Sequence, residues 1–242
     1  IYNLSAQSSV GNSFIRPIET QKSIVNATIN ILESCREINF KGNIFSAGSS
    51  EIFGSTKSPA DLNTKIELKS PYATAKYQSF LISKFYREIY KINSVTGILF
   101  NHESPLRDER FVIKKIISTA IRIKNGSNEK LILGNIKIKR DWGYAKEYIE
   151  AIQLINRSEL NRDYIVCTGA SYSLQTIVEK IFEELELNWL HHTTVSKDLY
   201  RSNEIQNSSG NPTAIFKDLG WKSKMKIDDL IRKLINYEIE KK

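Results

Sequence analysis

Tyr72 and Lys76 stand four positions apart in the stretch KSPYATAK, just after a proline. On a helix, residues at that spacing share a face, with about 5–6 Å between Cβ atoms. An ammonium there favours the phenolate and lowers a tyrosine pKa from its usual value of about 10. Such a tyrosine can act as a general base near neutral pH. The plain alternative is a helix start with a solvated lysine, because the spacing alone is common. Two neighbouring clusters bear on the choice. GSSEIFG puts Ser49 and Glu51 upstream of Tyr72, adding a hydroxyl and a second proton-transfer group. NHESPLR then brings Asn101, His102 and Arg107 just past an apolar run. Taken singly, Ser49 and Glu51 read equally well as a polar turn or helix cap, and His102 as a satisfied buried imidazole. Three such clusters at three successive strand ends favour the catalytic reading.

The elements that must hold these groups are legible in outline. IYNLSAQSS reads as the end of a buried strand entering a polar loop, and Ile24, Ile31, Leu32 and Cys35 give residues 18–37 a helical period. GNIFSAGSS is a short apolar strand, followed by a loop rich in Ser, Asn, Asp and Pro up to residue 71. A helix over 72–91 has Pro71 at its entry. SVTGILF, residues 94–100, has the β-branched character of a buried parallel strand. This alternation predicts an α/β sheet with right-handed crossovers, in which ligands sit beyond the carboxyl ends of strands. Past Pro105 the pattern predicts helices at 110–125, 145–157, 173–186 and from Ile227, with strands at LILG and YIVCTG.

The bulk properties narrow the class. The chain has 242 residues, 40% hydrophobic and 26% charged, as in a soluble globular protein. No apolar run approaches the roughly 20 residues of a membrane span. Cys35 and Cys167 are the only cysteines, and neither has a metal-ligand partner nearby. That points to a reducing cytoplasm and away from disulfides and structural zinc. The net charge is +8, but basic residues alternate with acids, as in KKIISTAIRIKNGSNEK. Solvated faces explain this better than a nucleic-acid stripe. An anionic small substrate fits the charge equally well.

The order GSSEIFG, SPYATAK, ILFNHESP, RDWGYAKEY and LGW resembles the extended short-chain dehydrogenase/reductase family, and within it the GDP-mannose 4,6-dehydratases. The resemblance runs from IYNLSAQSSVG to DLGWK. It implies a Rossmann-like parallel sheet with helices on both faces and a smaller C-terminal α/β substrate-binding domain. Residues 1–105 would be the remainder of the dinucleotide-binding domain, to which a strand near 163–168 returns, and 106–242 mainly the nucleotide-sugar domain.

The implied cofactor is NADP and the implied substrate GDP-mannose. Tyr72 would take the 4-hydroxyl proton, Lys76 would hold the nicotinamide ribose and lower the tyrosine pKa, and Glu51 would remove the C5 proton before water is lost. Ser49 would hydrogen-bond the reacting sugar. Leu4, Ser5, Ala6, Gln7 and Ser8 match a cofactor-lining stretch, Ser8 also serving the substrate; His102 and Arg107 match cofactor contacts. Asn101, Lys115, Arg140, Arg201 and Glu204 match positions that grip the nucleotide-sugar, where an arginine fork suits a diphosphate. A homodimer or homotetramer is implied, with neither membrane nor nucleic acid as partner. Nucleotide-sugar epimerases or reductases of the same superfamily, or a non-catalytic relative, are the alternatives; Glu51 favours a dehydratase, since epimerases lack a carboxylate there.

Some positions depart from the pattern: Ser49 stands for a threonine, Ser9 for a histidine, Ile113-Lys114 for Thr-Arg, and Tyr144 for a histidine; near Glu19 an expected cofactor-contacting tyrosine is absent, and a carboxylate there is unfavourable beside phosphate. A G-x-G-x-x-G turn, whose amides hold a pyrophosphate, occurs nowhere in the sequence. The chain starts at what resembles the family's fourth strand, which predicts exposed sheet edges, a tendency to aggregate and poor NADP binding by residues 1–242. Titration calorimetry with NADPH checks this, and micromolar or tighter binding would overturn it.

Overall fold

The computed structural model describes residues 1–200 and 203–241. The chain opens with β1 (Tyr2–Asn3), α1 (Val10–Ile15), α2 (Pro17–Gln21) and α3 (Ala27–Glu37), a π-helical turn at Lys22–Asn26 joining the last two. β2 (Ile44–Ser49), α4 (Pro71–Ile89) and β3 (Ser94–Leu99) follow. Next come β4 (Asn101–Glu103), α5 (Val112–Lys124), β5 (Leu131–Leu133), β6 (Lys139–Tyr144), α6 (Ala145–Arg157) and β7 (Tyr164–Val166). The rest is β8 (Ser171–Ser173), α7 (Leu174–Glu184), α8 (Trp189–His192), β9 (Thr193–Val195), β10 (Asn207–Ser208), α9 (Thr213–Leu219) and α10 (Ile227–Glu240).

β1, β2, β3 and β7 form a parallel sheet in that order. Its strands are apolar on both faces because both are covered. On one side Phe45, Val95, Tyr164 and Val166 pack against Tyr148, Ile152 and Ile155 of α6. On the other, Leu32 and Cys35 of α3 and Tyr86 of α4 meet Ile44. α4 starts cleanly: Ser70 accepts from the Ala73 amide at 3.0 Å, and Pro71 fills the first position, where no N–H is needed. The fully buried Ala73 and Ala75 let it lie close to β2 and β3.

A second sheet runs β10-β6-β4, with β8 antiparallel to β6, and β5 pairs with β9. Beside them, Ile116, Ile117 and Ala120 of α5 pack with Ile177 and Phe182 of α7 and Leu230 and Leu234 of α10. The chain crosses from the first sheet to the second at Phe100, between β3 and β4.

Helices α4, α5, α6, α7 and α10 follow the expected spans to within two residues. The helix expected over 18–37 is instead broken into α2 and α3 by the π turn, and α1 precedes it. Ser9 explains α1, since its hydroxyl accepts from the Asn12 amide at 3.2 Å as an N-cap. β4, β6, β8, β9 and β10 were not expected. They have two to six residues each and no alternation of apolar and polar side chains; RDWG in particular reads as polar, yet Arg140, Asp141, Trp142 and Gly143 are all buried.

One ion pair ties the sheet together. Arg87, in the last turn of α4, meets Asp163 with two hydrogen bonds of 2.8 and 2.6 Å, and also donates to the Ser94 carbonyl at 2.7 Å. Asp163 further accepts from the Thr96 amide at 2.7 Å. Both side chains are largely withdrawn from water, so removing one partner strands the other. Asp163→Ala should therefore lower unfolding stability by roughly 3–5 kcal/mol, read from urea denaturation; a loss below 1 kcal/mol, the upper end for exposed pairs, would show the pair to be dispensable.

Candidate active site

β2 and β3 pair in register from Ile44↔Ser94 to Ser49↔Leu99, so both strands end together. The GSSE turn and the NHESP segment consequently leave the sheet side by side. Ser49 caps the single 3₁₀ turn Ser50–Phe53, accepting from the Glu51 amide at 3.3 Å. Gly54 closes that turn at φ +61°, where a Cβ would meet the Glu67 carbonyl at 2.7 Å. α4 presents Tyr72 and Lys76 to the same place, and both are about nine-tenths buried. Burial pushes the Tyr72 phenol up to about 12, against a hydrogen bond from Ser49 that draws it down; the charge of Glu51 raises it further and that of Arg107 lowers it.

Lys76 sits differently from expectation. Its ammonium is 5.9 Å from the Tyr72 ring centre and donates to the Ala47 carbonyl at 2.8 Å, within β2. Burial pushes Lys76 down to about 8. Lys76 is not among the groups that set the Tyr72 pKa here, and its ammonium gives one of its three donors to a backbone carbonyl. Ser49 and Arg107 are the groups that favour the phenolate.

The first loop reaches the same spot. Ala6 packs against Ile24, Tyr72 and Ala75. Ile24 lies in the π turn, a feature frequent at functional sites, and nothing in the helical period pointed to it. Gln7 braces the loop, donating to the Ser9 carbonyl at 2.9 Å and to Thr20 at 3.0 Å. Ser5 donates to Asn3 at 3.0 Å, while Leu4 and Ser8 are exposed. Glu19, expected to face the cofactor unfavourably, points to solvent in an exposed pair with Arg16 at 3.3 Å.

NHESPLR forms a strand and a turn. Asn101, His102 and Glu103 pair with Trp142, Gly143 and Tyr144 of β6. The His102 ring stacks 4.9 Å from that of Tyr148, its Nδ1 is 2.8 Å from the Phe100 carbonyl, and burial pushes its pKa down. The turn ends at Arg107, whose amide donates to the Ser104 carbonyl at 3.0 Å. Lys114 is buried and paired with Glu238 of α10, while donating to the Pro105 carbonyl at 3.2 Å. The lysine in place of an arginine thus anchors the turn from behind.

The remaining predicted positions lie further along. Arg140 is buried on β6 and donates to the Lys139 carbonyl at 2.9 Å. Lys115 is exposed on α5 and donates to the Ile132 carbonyl at 2.8 Å, so its ammonium is held at the middle of β5. Arg201 lies outside the described residues. Glu204 lines a cleft of about 280 Å³ with Ser55, Lys69, Asn135 and Tyr200. The cleft exists because the loop before α4 is stitched to the segment around β10: the Thr56 amide donates to the Asn207 carbonyl at 2.8 Å, and Ala60 bridges Gly210. Sequence reasoning missed Asp141, which has no solvent exposure and binds the Thr168 amide and hydroxyl and the Gly169 amide at 2.8–2.9 Å. It locks the turn after β7 onto β6; burial outweighs these bonds and pushes its carboxyl up to about 6.

Ser49, Glu51, Tyr72, Lys76, His102 and Arg107 are thus gathered at the carboxyl ends of β2 and β3. A tyrosine, a carboxylate and two cations gathered at one place suit proton transfer on an anionic substrate.

Comparison with known proteins agrees with this geometry. A family model described as GDP-mannose 4,6 dehydratase matches residues 1–234. GDP-mannose 4,6 dehydratase 1 of Arabidopsis thaliana is 38% identical over 99% of the chain, which spans 68% of that protein. The human GDP-mannose 4,6 dehydratase is 33% identical over 99% of the chain, which spans 70% of it. In structure, the chain superposes with a TM-score of 0.88 on RMD from Pseudomonas aeruginosa, solved with NADPH, at 19% identity, covering 98% of this chain and 80% of that one. UDP-glucose 4-epimerase from Thermotoga maritima gives 0.90 at 18% identity, covering 99% and 77%. Those two likenesses establish a Rossmann-like α/β fold; with the matching family model and the sequence relatives, they show that the chain belongs to the GDP-mannose 4,6-dehydratase family.

Proposed function

We propose that the protein dehydrates GDP-mannose to GDP-4-keto-6-deoxymannose with NADP as cofactor, the sugar held between a dinucleotide-binding half, residues 1–105 with β7, and a nucleotide-sugar half, mainly 106–242. The observation that carries this reading is the convergence of Ser49, Glu51 and Tyr72 beside β2 and β3, with the Ser49 hydroxyl bonded to the phenol. A carboxylate beside the tyrosine serves an elimination and has no task in a simple epimerisation.

The donor set fits one end of NADP. Lys76 and Arg107 lie beside Tyr72, where the nicotinamide ribose would lie, with His102 next along the chain from β3, and the Arg107 Nε is buried without a hydrogen-bond partner. NADP supplies the hydride acceptor and donor. The protein does the proton work: Tyr72 takes the 4-hydroxyl proton, aided by Ser49 and the Arg107 charge. With C4 a ketone the C5 proton is acidic; Glu51 removes it and passes it to the departing 6-hydroxyl, which leaves as water, and Tyr72 returns its own proton to C5 to complete the 6-deoxy sugar. Lys76 holds the ribose and Arg140 and Arg201 the diphosphate, with Asn101, Lys115 and Glu204 as further sugar-nucleotide contacts.

Self-association is part of the proposal. Leu81, Phe85 and Ile89 repeat every four residues along α4 and are all exposed, leaving an apolar stripe. A second copy covering it would make the homodimer or homotetramer. Among the described residues no helix is long and apolar enough to cross a membrane. Both cysteines are free and buried, as suits the cytoplasm we propose.

Incubation of the protein with GDP-mannose and NADP⁺ should yield the 4-keto-6-deoxy sugar by mass spectrometry, with no net NADPH formed; an epimer or a reduced sugar instead would refute the assignment. Tyr72→Phe should lower kcat by about 10²–10⁴-fold, and unchanged turnover would remove it from the chemistry. Glu51→Gln should block water loss while exchange of the C4 hydrogen with the cofactor persists. Phe85→Glu should shift the mass in light scattering towards the monomer; an unaltered mass would place the interface elsewhere.

A further inference from the structure

We propose that Glu103 is a positioning residue whose carboxylate holds the Arg107 guanidinium beside Tyr72. Glu103 ends β4 and is 3% exposed. The turn through Ser104 and Pro105 folds the chain back, so Arg107 returns over it, with Nε 3.5 Å from Glu103 Oε2. The other face of the guanidinium lies 3.5 Å from the Phe111 ring centre. Arg107 is thus held between a carboxylate and an aromatic face, an arrangement that fixes a planar cation in orientation.

The energetics single out the charge of Glu103. Neither Glu103 Oε2 nor Arg107 Nε has a hydrogen-bond partner. A buried carboxylate is unfavourable at a purely structural position, where an apolar side chain would do as well. Arg107 is its one ion-pair partner among the described residues. Lys114, the other cation beside this turn, is engaged by Glu238 and the Pro105 carbonyl. The charge of Arg107 is felt at both Tyr72 and His102, drawing each pKa down. Losing Glu103 would free the guanidinium to swing away from both.

The inference rests on the proposed dehydratase reading for its turnover readout only, so a second readout needs no substrate. In ¹⁵N-labelled protein the Arg107 Nε–H signal is assigned through Arg107→Lys, at a pH above 7, because burial pushes the Glu103 carboxyl up to about 7. Its exchange with water should be about tenfold slower than that of exposed arginines, and the isosteric Glu103→Gln should abolish this protection. Turnover should fall about tenfold in Glu103→Gln, with no further fall when the change is added to Arg107→Lys. Glu103→Asp, which keeps the charge, should recover part of both and serves as the test if the glutamine variant does not fold. Wild-type exchange in Glu103→Gln, or a loss that adds in full to that of Arg107→Lys, would overturn the proposal. A wild-type protein that makes no 4-keto sugar would count against the proposed function alone, leaving the exchange measurement to decide on Glu103.

Discussion

The six-residue parallel pairing of β2 with β3 is the constraint on which the rest depends. Both strands are covered on both faces, so side chains at every position must be apolar or small. That leaves polar chemistry only at the strand ends. Because the register closes at Ser49 and Leu99, the polar turn after one strand meets the polar strand after the other. A slip of one residue would reverse every side chain, burying Ser46 and Ser49 on the wrong sides and separating Glu51 from Tyr72. The pairing also holds Phe45 against Gly97, where an added Cβ would sit 2.8 Å from the ring.

Around that register, ionisable groups are kept inside the protein by dissimilar means. Asp163 is matched by a two-point guanidinium contact and two strands. Asp141 is matched by backbone amides and a hydroxyl, with no cation bonded to it among the described residues. Lys76 has a single carbonyl. These arrangements differ in how much of the burial cost they return. Asp163 is fully matched and its site is structural. Lys76 is left with spare donors beside Tyr72.

The sequence made the large elements legible and left the small ones hidden. α4 carried its own punctuation in Ser70 and Pro71, and β3 its β-branched run. By contrast, KRDWGY betrayed no strand, because its buried polar groups are satisfied by residues far along the chain, Thr168 and Gly169 for Asp141. Glu103 beside His102 was hidden for a different reason, since its partner Arg107 is only four residues on. Its importance depends on a turn that folds Arg107 back and on Phe111 beneath. Tyr72, Lys76, Ser49 and Glu51 could be read as a group from strand-end logic. The actual destination of the lysine ammonium could not, since it depends on how closely Ala73 and Ala75 let α4 approach the sheet.

The stitching of the loop before α4 to the segment around β10 has a consequence for how the cleft comes into being. Thr56 and Asn207, and Ala60 and Gly210, are about 150 residues apart in sequence. Contacts of such separation are slow to form, because a large loop must close before they return any energy. On the ribosome, the β2–β3 core and its neighbouring helices can assemble while the β10 segment is still unmade. The wall bearing Glu204 is therefore added after the strands that carry Ser49 and Leu99. Late in biosynthesis there is a stage at which the helix carrying Tyr72 has been made and the segment that closes the Glu204 cleft has not.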